Sequence, residues 1–254
     1  MQIPNIQPYS DEEYFNAKIK AYNSTSGKLN EFDGYNCEYC HNKGHIAISI
    51  NGEMCSASCP QCANIRKCIK IFKKSGLSRY SFENYTTENE WQKKLLYAVQ
   101  KYTADVNRKW LFIGGQSGSG KTHLCSAVLR VLIFNYKKET LLFEWAEKSK
   151  RLKQLANDPQ YDDELNKYKV VPVLYIDDLF KSKKGETPTT ADINLAFELV
   201  DYRYRNDLIT IISSELSIDD IIVIDEATGS RIKHKAKEYA LHISKDKNKN
   251  YRLK

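Results

Sequence analysis

One eight-residue segment, 115–122, constrains the fold of this chain more than any other feature. It reads Gly-Gln-Ser-Gly-Ser-Gly-Lys-Thr, follows the apolar run 110–113, and precedes a stretch, 121–135, whose apolar residues recur at helical spacing. A glycine-rich turn between a strand and a helix lets backbone N–H groups surround phosphate oxygens at the positive end of the helix. The segment therefore predicts a P-loop, which is a site for the phosphates of a nucleotide.

The P-loop pattern assigns a role to each of its residues. We expect the ammonium group of Lys121 to reach the β- and γ-phosphates and the hydroxyl of Thr122 to ligate Mg²⁺. The backbone of the whole segment is expected to wrap the phosphate oxygens. The predicted nucleotide-binding residues are Gly115, Gln116, Ser117, Gly118, Ser119, Gly120, Lys121 and Thr122.

Two aspartates, Asp177 and Asp178, follow a second apolar run, 170–176. A carboxylate at the carboxyl end of a buried strand can hold the Mg²⁺ of a P-loop site, directly or through water. We assign this role to Asp177, and Asp178 is the candidate general base for the attacking water. An Asp-Asp pair alone is typical of a turn after a strand, but together with the P-loop it predicts a protein that binds and hydrolyses a nucleoside triphosphate.

A third apolar run, 208–213, ends in the polar residues Ser213, Ser214 and Glu215. A neighbouring strand of the same sheet can place one of these polar side chains near the γ-phosphate. The alternative is that these residues only cap a turn at the end of the strand.

The fold class follows from how the apolar runs alternate with helical patterns after residue 108. Strands are predicted at 110–113, 140–145, 170–176 and 208–213, and helices at 121–135, 146–156 and 193–204. Continuous apolar runs indicate strands that are buried on both faces, and their alternation with helices indicates a parallel sheet. The sequence therefore predicts an α/β domain.

Two Cys-x-x-Cys pairs precede this domain. Cys37 and Cys40 form the first pair, Cys59 and Cys62 form the second, and 18 residues separate them. This spacing predicts a closed four-sulfur Zn²⁺ site, which is structural because it leaves no coordination position for catalysis. A redox dithiol and ordinary buried thiols are the alternatives.

The formal net charge of +7 is concentrated at the C-terminus, since residues 231–254 contain nine Lys and Arg against two acidic residues. Residues 63–82 contain six basic residues and no acidic one. Such patches suit nucleic acid or an acidic partner, although a solvated surface has the same composition.

No apolar run approaches the roughly 18 residues of a membrane helix, and the first residues lack the apolar stretch of a signal peptide. We therefore expect a cytoplasmic protein that does not contact membranes.

The ordered motifs resemble those of the DnaC-like replicative helicase loaders, especially the phage and mobile-element type, in the DnaC/IstB group of AAA+ ATPases. The residues that carry the resemblance are 115–122, 173–178, 210–215, 227–232 and 250–252. The resemblance implies an ATPase that uses ATP and Mg²⁺ through Lys121, Thr122, Asp177 and Asp178. It places Ser214 or Glu215 at the sensor-1 position, where this group commonly has Asn, and of the two we take Ser214 as the candidate catalytic residue. Arg231 matches the arginine finger, which implies an ATP-dependent homo-oligomer with sites between subunits.

The same resemblance implies a domain plan and a set of partners. Residues 1–76 would be a zinc-binding, helicase-interacting domain, 77–107 a linker with a helix, and 108–254 a RecA-like AAA+ domain with little or no C-terminal lid. A hexameric DnaB-type helicase and single-stranded DNA are the implied partners, with basic residues of 148–153 at the DNA. The implied function is delivery of the helicase to single-stranded DNA. The alternatives are an IstB-like ATPase helper of a transposase and a nucleotide-switched module that binds DNA or a partner.

Overall fold

The computed structural model describes residues 10–105, 110–182 and 186–253. The chain forms two compact units, Met1–Ile71 and Phe72–Lys254. The division falls five residues before the end of the expected zinc-binding domain, and the expected linker 77–107 contributes a long helix to the second unit. No helix in the three described ranges is long and apolar enough to cross a membrane.

The first unit contains a β-hairpin that lies between the two cysteine pairs. Strands β1 (His45–Ile50) and β2 (Glu53–Ser58) pair in antiparallel register, and Asn51 and Gly52 form the two-residue turn. Both turn residues have positive φ, 53° and 83°, which is the backbone that a type I′ hairpin requires. Because the hairpin brings its two ends together, it also brings the cysteine pairs together. The helices of this part of the chain are α1 (Asp11–Ser24), α2 (Leu29–Asp33) and α3 (Ala63–Lys74).

The second unit is built on a five-stranded parallel sheet in the order β4-β5-β6-β3-β7. Its strands are β3 (Trp110–Gly115), β4 (Thr140–Glu144), β5 (Val173–Asp177), β6 (Ile209–Ser213) and β7 (Ala240–Ile243). Its helices are α4 (Glu90–Ala104), α5 (Lys121–Phe134), α6 (Trp145–Gln154), α7 (Gln160–Val170), α8 (Thr190–Arg205), α9 (Ile218–Ile224) and α10 (Glu226–Ala236). The predicted α/β fold with a parallel sheet is therefore confirmed.

The sheet order determines where the functional side chains meet. β6 lies between β5 and β3, so the ends of the three strands that carry the P-loop, the aspartates and the serines are adjacent. Parallel strands present their carboxyl ends at one edge, which is where ligands bind in open α/β sheets. After α10, the described chain through Leu253 adds β7 and three short 3₁₀ segments, Lys237–Tyr239, Lys247–Lys249 and Tyr251–Leu253. This part of the chain contains no helical lid.

The predicted strand 170–176 is wrong at its beginning. Helix α7 continues to Val170, and β5 begins only after Pro172, which has no N–H for the sheet. The reason is the fully buried guanidinium of Arg203, which donates hydrogen bonds to the carbonyl groups of Tyr168 and Val171, each at 2.9 Å. These bonds satisfy carbonyl groups that the end of a helix leaves without partners. A side chain that is distant in sequence thus determines where α7 ends and β5 begins, which the local apolar pattern does not reveal.

Candidate nucleotide site and cysteine cluster

Hydrogen bonds from neighbouring strands hold the start of the P-loop. The N–H of Gly115 donates to the carbonyl oxygen of Ser214 after β6 at 3.1 Å, and that of Gln116 donates to Ile243 in β7 at 3.0 Å. Gly115 has a φ of 108°, and a Cβ atom there would lie 2.0 Å from the carbonyl oxygen of Ile243. Only glycine allows this close approach of the loop backbone to β7.

Lys121 begins α5 and is 5% exposed. Its Nζ atom donates to the carbonyl oxygens of Gly115 and Gln116, both at 2.8 Å. Burial lowers the pKa of Lys121. Since both hydrogen-bond partners are neutral, an anion at this position would stabilise the buried ammonium group, and the N-terminus of α5 would add to this effect.

Asp177 receives three hydroxyl donors on one carboxylate oxygen. Thr122 Oγ1 donates to Asp177 Oδ1 at 3.1 Å, Ser213 Oγ donates at 2.7 Å, and the phenol of Tyr175 donates to the same atom. The structure therefore brings together Thr122 and Asp177, the two residues predicted to ligate Mg²⁺. Tyr175 was not predicted to contribute, because it lies within an apolar run and reads as a core residue.

Asp178, the predicted general base, lies on the loop that follows β5. Its φ of 56° is in the left-handed region, and its N–H donates to Ser213 Oγ at 3.0 Å. Burial raises the pKa of the Asp178 carboxyl group, and the neighbouring charge of Asp177 adds to this effect. The Nζ atom of Lys181 lies 3.1 Å from Asp178 Oδ2 and also contacts Glu215.

The structure separates the two candidates at the predicted sensor position. Ser214 is fully buried, its Oγ donates to the carbonyl oxygen of Leu179 at 2.8 Å, and it accepts the N–H of Leu216 at 3.1 Å. Glu215 instead lines the cavity beside the P-loop. Burial opposes the ionisation of Glu215, but hydrogen bonds from Lys181 and Ser117 outweigh it and lower the pKa of Glu215. Glu215 is thus the one of the two that faces the pocket, and a catalytic role for Ser214 stays a prediction.

The P-loop borders a cavity of about 290 Å³. Two other segments form the remaining walls: Tyr80, Tyr85 and Thr86 before α4, which the sequence did not connect to the site, and Tyr251 and Arg252 of the segment 250–252 that carries the resemblance. The rings of Tyr80 and Tyr85 pack against His123, with centroid distances of 4.7 and 5.2 Å. The N–H of Tyr251 donates to the carbonyl oxygen of Gly118 at 2.9 Å. An aromatic wall therefore stands next to a phosphate-binding loop, an arrangement that suits a nucleoside.

Arg231 lies on α10 and is not among the residues that line this cavity. Its Nε atom donates to Asp201 Oδ1 at 3.0 Å, and its guanidinium lies over the rings of Phe197 and Tyr204. Any contact that Arg231 makes with nucleotide would therefore be with the site of another copy of the chain, and its role as an arginine finger stays a prediction.

The basic side chains of α6 are partly neutralised by acidic neighbours. This helix carries residues of the segment that the resemblance places at DNA. Its ion pairs are Lys148–Glu147 at 2.7 Å, Arg151–Glu164 at 3.9 Å and Lys153–Asp192 at 2.7 Å.

The four predicted zinc ligands form one buried cluster. The Sγ atoms of Cys37 and Cys59 are 3.8 Å apart, those of Cys40 and Cys62 are 3.7 Å apart, and all four lie within 4.8 Å of one another. Zinc–sulfur bonds of about 2.3 Å in a tetrahedron place the sulfurs about 3.8 Å apart, so the cluster could hold such an ion. The same distances are too long for a disulfide bond.

Backbone and side-chain donors surround the cluster. The N–H of Gly44 donates to Cys40 Sγ at 3.2 Å, and Arg66 Nε donates to Cys62 Sγ at 3.4 Å. Burial raises the pKa of Cys40, but the Gly44 N–H and the neighbouring thiols outweigh it, and the pKa falls to about 7. The Gly44 N–H thus stabilises a thiolate at Cys40 and helps to orient it as a metal ligand.

Comparison with known proteins identifies the family. The bacterial DnaA ATPase domain matches residues 77–235, more than half of the chain. YqaM of Bacillus subtilis is 32% identical over 207 residues, which are 76% of this chain and 66% of YqaM. The phage-like element PBSX protein XkdC of the same organism is 30% identical over 228 residues, 82% of either chain. The crystal structure of the DnaC helicase loader shares the fold, with a TM-score of 0.56 at 22% identity over 67% of this chain and 98% of that chain. This chain therefore belongs to the family of the bacterial DnaA ATPase domain, shares its fold with the DnaC helicase loader, and carries a four-cysteine cluster.

Proposed function

We propose that this protein is an ATP-dependent loader that binds a hexameric DnaB-type replicative helicase and helps deliver it to single-stranded DNA during DNA replication. The observation that carries the proposal is the cavity lined by Lys121 and Thr122, where Thr122 also donates to Asp177 at one edge of a DnaC-like sheet. The solved neighbour described as a helicase loader supports the choice of partner.

The residues of the pocket fit ATP with Mg²⁺. Lys121 is a buried ammonium group with neutral partners, and the pair Thr122 and Asp177 offers the hydroxyl and carboxylate oxygens that Mg²⁺ prefers. The hydroxyl of Tyr85 is buried in the cavity wall, and within the described ranges it has no hydrogen-bond partner. A ribose or a base that reached this hydroxyl would supply the missing partner. Bound ATP supplies the phosphoanhydride bond whose hydrolysis drives the loading cycle.

Asp178 is the residue that we assign to activate the attacking water. Its carboxylate lines the cavity, and the pKa raised by burial makes it a stronger base than an exposed aspartate. Asp178 takes a proton from water while Lys121 neutralises the charge that develops on the phosphate oxygens. The backbone of the P-loop keeps the phosphates in line for this step.

Arg231 acts, in this proposal, on the ATP of a neighbouring copy. Its position on α10, outside its own cavity, supports a contact between subunits. ATP then orders several copies into an open arc, because each site needs an arginine from the next copy to stabilise the transition state.

The first unit is proposed to hold one Zn²⁺ and to dock on the helicase. The four buried sulfurs match the spacing of a tetrahedral zinc site, and a structural metal lets a small unit fold that could not bury a sufficient core alone. Basic side chains of the second unit are proposed to contact the DNA backbone, and Lys150 on α6 is an exposed candidate.

A loading assay tests the proposal. The helicase is supplied with a circular single strand that carries an annealed, flapped oligonucleotide, so that unwinding requires loading without a free end. The full chain with ATP is expected to stimulate unwinding, and Lys121→Ala is expected to abolish that stimulation. Lys93→Ala, which removes an exposed lysine paired with Glu90, serves as the control.

ATP turnover by the full chain alone, measured with and without single-stranded DNA, separates the alternatives when it is combined with the loading assay. Turnover stimulated by DNA, with no effect on the helicase, would contradict the loader and favour the transposase helper. Turnover no higher than that of Lys121→Ala would contradict an ATPase and favour a nucleotide-switched binding module.

A further inference from the structure

Lys181 is a second cation in the nucleotide pocket, and neither the P-loop nor the aspartate motif accounts for it. It follows β5 by four residues and lines the same cavity as the P-loop residues Ser117 and Lys121. Its Nζ atom bridges two carboxylates that come from different strand ends, Asp178 at 3.1 Å and Glu215. Such a bridge places one positive charge between two negative ones beside a phosphate site.

The charges that line the cavity explain why this cation matters. Asp178 and Glu215 both face the space next to Lys121, and Glu215 also accepts a hydrogen bond from Ser117 in the P-loop. A triphosphate carries more negative charge into this space than a diphosphate does. Two uncompensated carboxylates would repel the terminal phosphate, so a positive charge between them favours the triphosphate selectively.

The ion pairs of Lys181 with Asp178 and Glu215 are weak. The side chains of Lys181, Asp178 and Glu215 are 33%, 30% and 39% exposed, and ion pairs at that exposure contribute little to stability. A carboxylate and a phosphate both accept charge-assisted hydrogen bonds from an ammonium group, and the terminal phosphate of a triphosphate carries more negative charge than one carboxylate. The long, flexible lysine stem can exchange one partner for another without moving the backbone.

We propose that Lys181 binds the γ-phosphate and so makes the pocket distinguish a nucleoside triphosphate from a diphosphate. In the nucleotide-free chain, the ammonium group of Lys181 is paired with the carboxylates of Asp178 and Glu215. A bound triphosphate draws the ammonium group onto its terminal phosphate, and Asp178 becomes free to contact water. This assignment rests on the proposed function, since it requires that the pocket takes ATP.

The test measures the affinities of the full chain for ADP and for the non-hydrolysable analogue AMP-PNP, both with Mg²⁺. Lys181→Met is expected to weaken AMP-PNP binding about 10- to 100-fold, the loss of a charge-assisted hydrogen bond, and to change ADP binding less than about 3-fold. Lys181→Arg, which keeps the charge, is expected to keep most of the preference. Lys93→Met removes an exposed lysine that pairs with Glu90 outside the cavity, and it is expected to change neither affinity.

A substitution at Glu215 provides a second test, which remains informative even if Lys181→Met fails to fold. Glu215→Gln removes one competitor for the ammonium group, so AMP-PNP binding is expected to strengthen or stay unchanged relative to ADP. The double variant Lys181→Met with Glu215→Gln is expected to bind AMP-PNP weakly. Recovery of wild-type affinity in the double variant would overturn direct contact, because it would mean that Lys181 only neutralises Glu215.

Failure of this inference and failure of the proposed function give different results. If the wild-type chain prefers AMP-PNP and Lys181→Met retains that preference, Lys181 does not bind the γ-phosphate, but the ATP site stands. If the wild-type chain binds neither nucleotide, the proposed function fails and the inference fails with it.

Discussion

Replacing Tyr175 with phenylalanine removes a single hydroxyl group from the interior of the predicted Mg²⁺ site. Tyr175 is fully buried in β5, and its hydroxyl donates to Asp177 Oδ1 and lies 3.1 Å from Ser213 Oγ. Phenylalanine fills nearly the same volume, so the packing of the sheet is retained. The substitution therefore reports on how Asp177 is oriented and not on the core as a whole.

The expected magnitude follows from the donors that remain. Groups that orient a metal ligand typically contribute about 10- to 100-fold to metal affinity. Thr122 and Ser213 still donate to Asp177 in the variant, so we expect the lower end, about a 10-fold rise in the Mg²⁺ concentration that supports half-maximal ATP hydrolysis. That rise corresponds to about 1.4 kcal/mol.

The assay is ATP hydrolysis by the full chain at saturating ATP over a range of Mg²⁺ concentrations. Tyr136→Phe is the matched control, because it removes a hydroxyl that donates to the carbonyl oxygen of Thr103 at 3.0 Å, outside the cavity. The control is expected to follow the wild-type Mg²⁺ curve. An unchanged curve for Tyr175→Phe, or lost activity that excess Mg²⁺ does not restore, would refute the proposed positioning of Asp177.

Three further predictions test other parts of the molecule. The full chain is expected to contain one Zn²⁺, measured with a metal-sensitive dye, and Cys59→Ser is expected to lose it; full occupancy in that variant would place the metal elsewhere. Arg203→Leu leaves carbonyl groups near the end of α7 without donors, so we expect a loss of about 3 kcal/mol, or about 6–12 °C in Tm. An unchanged melting curve would show that other groups satisfy those carbonyls. Arg231→Ala is expected to lower ATP turnover about 1,000-fold while ATP binding persists, and mixing it with Lys121→Ala is expected to restore some turnover. Undiminished turnover in Arg231→Ala would exclude the finger.

Local patterns predicted the parts of the fold and site that depend on neighbouring residues. The P-loop could be read from the sequence because its glycines, its lysine and the flanking strand and helix are contiguous. The pairing of Thr122 with Asp177 could be anticipated because parallel strands end at one edge of the sheet. The cysteine spacing likewise identified all four members of the cluster.

The rest depended on contacts between distant segments. Tyr80 and Tyr85 border the cavity from the beginning of the second unit, and no local signal links them to the P-loop. The choice between Ser214 and Glu215 depended on which side chain turns inward after β6, where the chain leaves the regular alternation of a strand. Helix α7 was missed because the buried guanidinium of Arg203, more than thirty residues away, stabilises its end.

Native mass spectrometry of the full chain with a DnaB-type hexamer tests the central claim most directly. The spectra would be recorded with Mg²⁺–ATP, with Mg²⁺–ADP and without nucleotide, so that partner, stoichiometry and bound zinc are read together. We predict a complex of several copies of the chain with one hexamer, with one zinc ion in each copy and most abundant with ATP. A chain that binds ATP but forms no complex with the hexamer in any nucleotide state would contradict the account.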